Sequence, residues 1–400
     1  MGVCSLSVTE PTQREPSGLQ FRLLFVLVFI FIGGYGNFFP LWLRDRGFTE
    51  TDIGWLQGAS YACLVIFPLL WARVADKRGD NIGVLRVLSV ACLLTFIPAV
   101  LLSSVWPMMI ALVVFYAFRV GIVPSTDAAA LDHVERTGED YGRYRVWGSG
   151  GFIAGGFILG LCVERWSMAV VPWPLAVFLV FTVALTLWMK ASKGEAASPD
   201  ASASVWSLLS RPELRAFYGI HFLCRLSLQG LYLFLPLHLQ ALGVSAAWIP
   251  AYWTAGVVSE IILIRASPRI FRGWSPRSVI SLCFVAAAIQ YGLTAWTSNH
   301  LVLLGVMTLH GLSFGIWYVT SISWLGDHVP SSQRASAQAL FQAVGFGVGG
   351  MISSVASGYI YEAWQGPGLF AVAAGGCVLT LGAHLLWFPR SATETVDVGG

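Results

Sequence analysis

Of the chain's 400 residues, 56% are hydrophobic and only 11% charged, with a mean hydropathy of +0.69; soluble domains carry roughly a quarter charged residues, so a water-soluble fold is excluded. A net charge of +3 without a basic patch argues against nucleic acid as a partner. The seven cysteines fall mostly singly within apolar runs, with no CxxC and no metal-ligand spacing, so neither a metal nor another cofactor is expected.

Apolar runs recur from Phe21 to Phe388, each about 20 residues, the length that crosses a hydrocarbon core about 30 Å thick. They predict twelve membrane spans, at 21–43, 53–72, 82–103, 106–129, 146–163, 168–189, 214–239, 247–266, 277–297, 300–325, 335–360 and 367–388. The fold class is therefore an all-α membrane protein of two six-helix bundles. The expected organisation is a tail over 1–20, a bundle over 21–189, a linker over 190–213, a second bundle over 214–390 and a tail over 391–400. The first 20 residues are polar and precede a run too long for a signal core, so they read as an uncleaved tail. Pro68, Pro98, Pro124 and Pro236 fall inside spans, where neighbouring helices re-satisfy the backbone. Of 24 Lys and Arg, only Arg44, Arg46 and Arg165 fall in connectors opposite the termini, and Arg119 and Arg225 fall within spans. The other 19 share the side of the termini, which the positive-inside rule assigns to the cytoplasm.

An ionisable side chain inside a span costs about 2.5–3.5 kcal/mol on insertion scales, so each is a functional candidate. In chain order these are Arg119 and Asp127 in the fourth span, Arg225 in the seventh, Glu260 in the eighth and His310 in the tenth. Arg119 and Asp127 are eight residues apart, about 80° of rotation and about 12 Å of rise, so they do not pair directly. Either arginine can hold a carboxylate in a bidentate fork or act as a counter-ion. Glu260, desolvated in a cavity, is the leading proton carrier, and His310 joins it because imidazole both donates and accepts. A structural ion pair with Arg225 or Arg119 is the competing reading of Glu260. Asn37, Gln57, Gln229 and Gln290 read chiefly as interhelical hydrogen-bonding groups, with Asn37 also a substrate candidate. Tyr35, Tyr116, Trp253 and Trp317 are candidates for an aromatic wall. Glycines concentrate in the fifth span (148, 150, 151, 155, 156, 160) and the eleventh (345, 347, 349, 350), and read as packing between bundles that permits rocking.

The two halves echo one another. Pro40-Leu41-Trp42-Leu43 before Gly47 returns as Pro236-Leu237-His238-Leu239 before Gly243, and Gly34, Ile53 and Arg73 return as Gly230, Ile249 and Arg269, all at a spacing of 196. Asp132-His133-Val134 returns as Asp327-His328-Val329 at 195. Six spans, a polar linker and six more in parallel orientation is a transporter architecture. No P-loop or HExxH pattern is present, and no cluster at a spacing that suits catalysis, so neither ATP-driven transport nor an enzyme is expected.

The connector Ala72-Arg73-Val74-Ala75-Asp76-Lys77-Arg78-Gly79 resembles the G-x-L-A-D-R-x-G loop of the major facilitator superfamily, keeping Asp76 and Gly79 and departing at Ala72 and Lys77. Tyr141-Gly142-Arg143-Tyr144-Arg145-Val146-Trp147-Gly148-Ser149, Pro124 to Ala128 and Gly256 to Glu260 resemble the phenylpropionate permease group, related to the lactose permease and nucleoside symporter branch. The resemblance implies a monomeric, proton-coupled importer of a small organic solute in a bacterial inner membrane, working by alternating access. It favours an aromatic carboxylate, with sugar or nucleoside symport, drug efflux and a non-transporting sensor as alternatives. It also implies proton coupling at Glu260 and His310, and a cytoplasmic gate of Asp76, Asp132, Arg143, Arg145 and Asp327. Asn37, Tyr116 and Trp317 join Arg119, Arg225 and Asp127 as substrate or counter-ion candidates.

Overall fold

In lipid every backbone N–H and C=O must be satisfied within the chain, and the described residues form helices with no strand among them. The computed structural model describes residues 16–190, 205–330 and 333–388. Most of both tails and of the linker lies outside the described residues. Spans one to nine are Gly18–Asp45, Glu50–Arg78, Asn81–Leu101, Val105–Thr137, Gly142–Arg165, Met168–Trp188, Pro212–Ala241, Ile249–Ile270 and Pro276–Trp296. The tenth is His300–His328, and a 52-residue helical run, Ser336–Trp387, holds the rest. At 1.5 Å per residue that run is about 78 Å long, more than twice a bilayer core. It bends at Gln365, whose φ of 58° and ψ of −167° are not helical, just before Gly366 and Pro367. The run is thus two spans, the eleventh and twelfth, and the fold is twelve spans in two six-helix bundles.

Local sequence sets the ends. Ser17 with Gln20 and Thr49 with Asp52 form capping boxes at the first and second spans. Gly79 closes the second span in the left-handed conformation, φ 60°, which explains why the Ala72–Gly79 connector needs glycine there. Trp106, Trp166, Trp248, Trp296 and Trp364 lie at the end away from the termini and Trp188 and Trp387 at the terminal end, all more than half exposed. That is where indole anchors belong at a membrane interface.

The fifth-span glycines serve two neighbours. On one face a Cβ at Gly155 would lie 1.9 Å from the Ile30 carbonyl oxygen, and one at Gly151 2.5 Å from that of Val26, so the first and fifth spans touch backbone to backbone inside one bundle. On the other face Gly156 meets Pro250 and Gly160 meets Ala246 and Ala247 of the other bundle. The eleventh span repeats the arrangement, with Gly345 and Gly349 against Arg225 inside the bundle and Gly347 and Gly350 against Val65 and Tyr61 across it.

This symmetry closes the end away from the termini. Gly156-x3-Gly160-x3-Glu164 ends the fifth span, and Ser354-x3-Gly358-x3-Glu362 repeats it 198 residues on. Glu164 Oε2 accepts from the backbone N of Ala247 at 2.9 Å, at the start of the eighth span. Glu362 Oε2 accepts from the backbone N of Thr51 at 3.1 Å, at the start of the second. Thr51 and Ala247 are themselves 196 apart. Each bundle therefore places a carboxylate on a helix N-terminus of the other, where the helix dipole favours negative charge. Trp55 Nε1 adds a bond to Tyr359 OH at 3.2 Å. The other hydrogen bond between the bundles among the described residues, Gln229 Nε2 to Tyr61 OH at 2.5 Å, lies near mid-membrane.

An exposed carboxylate on a helix terminus contributes ~0.3–1 kcal/mol, so removing both shifts the balance toward opening at this end by about threefold to thirtyfold. Glu164→Ala/Glu362→Ala is expected to broaden and lengthen the distance between spin labels at Ser103 and Ser298, on corresponding connectors of the two bundles at this end. An unchanged distribution would show that the carboxylates do not latch the bundles.

Candidate functional site

Where the bundles face each other near mid-membrane they enclose a cavity of about 350 Å³. The first span supplies Ile32, Tyr35, Gly36, Asn37 and Pro40, the second Gln57 and Tyr61, the fourth Arg119 and the fifth Phe152. The seventh supplies Gln229, Tyr232 and Leu233, the eighth Trp253, Val257 and Glu260, and the tenth His310 and Phe314. Eight of the residues singled out in the sequence thus line it: Arg119, Glu260, His310 and Asn37, the amides Gln57 and Gln229, and the aromatic candidates Tyr35 and Trp253.

Arg119 stands at a break in the fourth span, whose helix stops at Arg119 and restarts at Ile122. Trp71 Nε1 donates to the Ala117 carbonyl at 2.9 Å and so satisfies part of the interrupted backbone. The guanidinium lies over the Tyr35 ring, 4.7 Å from its centroid, and within 6.0 Å of Phe31 and Tyr116. Its Nε has no hydrogen-bond partner among the described residues.

Arg225 is 2% exposed. It holds the wall from behind, donating through Nη2 to Gln229 Oε1 and lying 4.2 Å from the Phe346 ring and 5.3 Å from Tyr232. Its Nε and Nη1 have no partner among the described residues. Neither arginine forms a salt bridge with Glu260.

Glu260 sits against the tenth span where a π-helical stretch, Gly311–Ile316, replaces α-helix, a distortion common at functional sites. A Cβ at Gly315 would lie 2.5 Å from Glu260 Cγ, so the glycine makes room for the carboxyl. Glu260 has no hydrogen bond among the described residues, and the cation whose charge reaches it is Arg145 of the opposite bundle. The same Arg145 reaches Asp127 and lies 4.3 Å from the Phe29 ring. Asp127 accepts from Tyr141 OH at 2.8 Å. His310 contacts Tyr232 OH at 3.5 Å through Nε2 and stacks on Phe314 at 5.3 Å. Asn37 donates to the Gly33 carbonyl at 2.7 Å, and its Oδ1 has no partner among the described residues.

Other candidates stand elsewhere. Tyr116 is fully buried behind the wall, hydrogen-bonded to Tyr35. Trp317 is fully buried and stacks on His221 at 5.3 Å. Asp132 accepts from Asn81 Nδ2 at 2.8 Å, a contact inside one bundle, while Asp76, Arg143 and Asp327 are exposed. Two wall residues, Tyr61 and Tyr232, escaped sequence reasoning. A signal existed for the second: Arg225, Gln229 and Tyr232 are spaced i, i+4, i+7, one face of a helix.

The family described as MFS_1 like family matches residues 19–372. A protein of Escherichia coli (strain K12) named "Probable 3-phenylpropionic acid transporter" is 28% identical over 365 residues, covering 88% of this chain and 94% of that one. The maltose permease of Geobacillus stearothermophilus is 24% identical, covering 86% of this chain and 88% of its own. A crystal structure of the nucleoside transporter NupG superposes with a TM-score of 0.82 at 19% identity, over 94% of this chain and 99% of NupG, a likeness of fold.

Proposed function

The chain belongs to the MFS_1 like family and is a multi-pass membrane transporter, and from its cavity we propose that it couples protons to uptake of a small organic anion, an aromatic carboxylate being the class that fits. The observation that carries the reading is the pair of guanidinium groups, Arg119 and Arg225, near the centre of the membrane with unpartnered nitrogens and no carboxylate salt bridge among the described residues. A buried cation without a counter-ion is costly, and an incoming carboxylate supplies one. Rings line the same space, with Tyr232 stacked on Trp253 at 5.2 Å, and they suit an aromatic body. Glu260 is the proton carrier in this reading, with His310 beside it. Arg145 acts at the gate, and the carrier works as a monomer in a bacterial inner membrane with both termini cytoplasmic. Closure at the far end makes this the state that faces the cytoplasm.

A second reading, symport of a nucleoside or sugar, is favoured by the Gln57, Gln229 and Asn37 amides on the same wall. Proteoliposomes under an imposed pH gradient separate the two. Saturable uptake of phenylpropionate-like acids that ignores nucleosides and sugars is the expected result. Uptake of a neutral solute that carboxylates do not compete with would overturn it.

A further inference from the structure

Arg119 faces two chambers. Besides the central cavity it lines a second, partly open one of about 330 Å³, between the first, second, fourth and sixth spans. Ile32, Gln57, Tyr61 and Arg119 belong to both. Beyond Arg119 the second chamber runs toward the terminal end: Leu64 lies almost one turn past Tyr61, Val123 one turn past Arg119, and Val28 one turn before Ile32. The two differ in chemistry. The central wall carries Glu260, His310, Asn37 and Gln229. The side wall past Arg119 is mostly apolar, with Val28, Phe31, Leu64, Val123, Pro124 and Leu179; of its two hydroxyls, Ser60 stands next to Tyr61 and Thr182 is spent on the Phe178 carbonyl at 2.8 Å.

We propose that this side chamber is the subsite for the apolar body of the transported anion, whose carboxylate rests on Arg119. The inference rests on the anion reading above. The ligand class is a monocarboxylate with a compact apolar body. The body turns away from Glu260, so the proton-carrying group keeps its own half of the site. The chamber's volume then sets the longest acid accepted, and Val123 and Leu179 set its depth.

The test is competition by a ladder of acids, benzoate through phenylbutyrate, measured in proteoliposomes holding wild type, Val123→Phe, Val123→Ala and Leu179→Phe. Apparent affinity is expected to rise by about fourfold for each methylene buried, the equivalent of ~0.8 kcal/mol, until the chamber is full. Val123→Phe and Leu179→Phe are expected to move the best acid toward shorter members, and Val123→Ala toward longer ones. Opposite shifts from filling and emptying one position are not produced by a general packing defect, and Val123→Ala guards against a filled variant that does not fold. A ladder with the same best acid in all active variants overturns the subsite and leaves the anion reading intact. A wild type indifferent to every acid overturns the anion reading, and the subsite with it.

Discussion

Glu260→Gln is expected to abolish accumulation of solute driven by a pH gradient while preserving exchange of labelled for unlabelled solute. Glutamine fills nearly the same space beside Gly315 but cannot carry a proton. The argument is one of charge. Arg119 in the wall, Arg225 behind it and an ionised Glu260 together set the charge of the central site. Binding one carboxylate while protonating Glu260 restores that same charge. The empty carrier and the carrier holding both solute and proton therefore meet similar electrostatic barriers to reorientation. Proton without anion, or anion without proton, adds or removes a charge in a low-dielectric setting, where such changes are costly. Coupling then follows from matched charge, with one proton per carboxylate and no net charge moved. One pH unit stores about 1.4 kcal/mol per proton, enough for about tenfold accumulation. In Glu260→Gln that tenfold is expected to collapse to equality of concentrations inside and outside. Accumulation at the wild-type level in the variant would remove Glu260 from proton coupling.

How much of this was legible in the sequence differed by physical cause. Spans were legible because hydrocarbon thickness imposes a length on apolar runs, and even the junction of the last two, where helix runs on from Gly350 to Trp387 around Gln365, shows as Gly366-Pro367. Intramembrane charges were legible because each is costly, and Arg119, Glu260 and His310 do face the cavity. Aromatic residues were legible only in part, since a tyrosine in an apolar run looks the same in a wall, a core or an interface. Of the four aromatic candidates Tyr35 and Trp253 line the cavity while Tyr116 and Trp317 are packed behind it, and Tyr61 and Tyr232 complete the wall. The glycine-rich runs signalled close approach but not its direction. The fifth span meets its own bundle through Gly151 and Gly155 and the other bundle through Gly156 and Gly160, a division only the helix faces reveal. The π-helical stretches Gly311–Ile316 and Gln342–Gly349 left no periodic trace. The far-end carboxylates were hidden for a different reason: Glu164 and Glu362 repeat at 198, whereas the backbone N–H groups they meet repeat at 196, so one fixed offset misses the pairing.

Arg225→Gln is expected to make the protein more stable and much less active. Arg225 is 2% exposed, with two of its three nitrogens lacking a partner. The third is held by Gln229, and two ring faces cover the guanidinium. Ring faces and one amide offset only part of the several kcal/mol that desolvating a charge costs. A residue that weakens the resting fold this way is retained for what it does when occupied. The neutral variant removes the cost and keeps most of the packing beside Gly345 and Gly349. Unfolding of purified protein in detergent should move up by a few degrees. Carboxylate uptake should fall by about a hundredfold as the site loses the counter-charge that stands behind its wall. Arg225→Lys keeps the charge but loses the planar fork and its stacking, so it should be no more stable than wild type and should recover only part of the uptake. The paired readout separates the roles. If Arg225 were a packing element alone, the glutamine variant would unfold earlier, and whatever folded protein remained would transport normally.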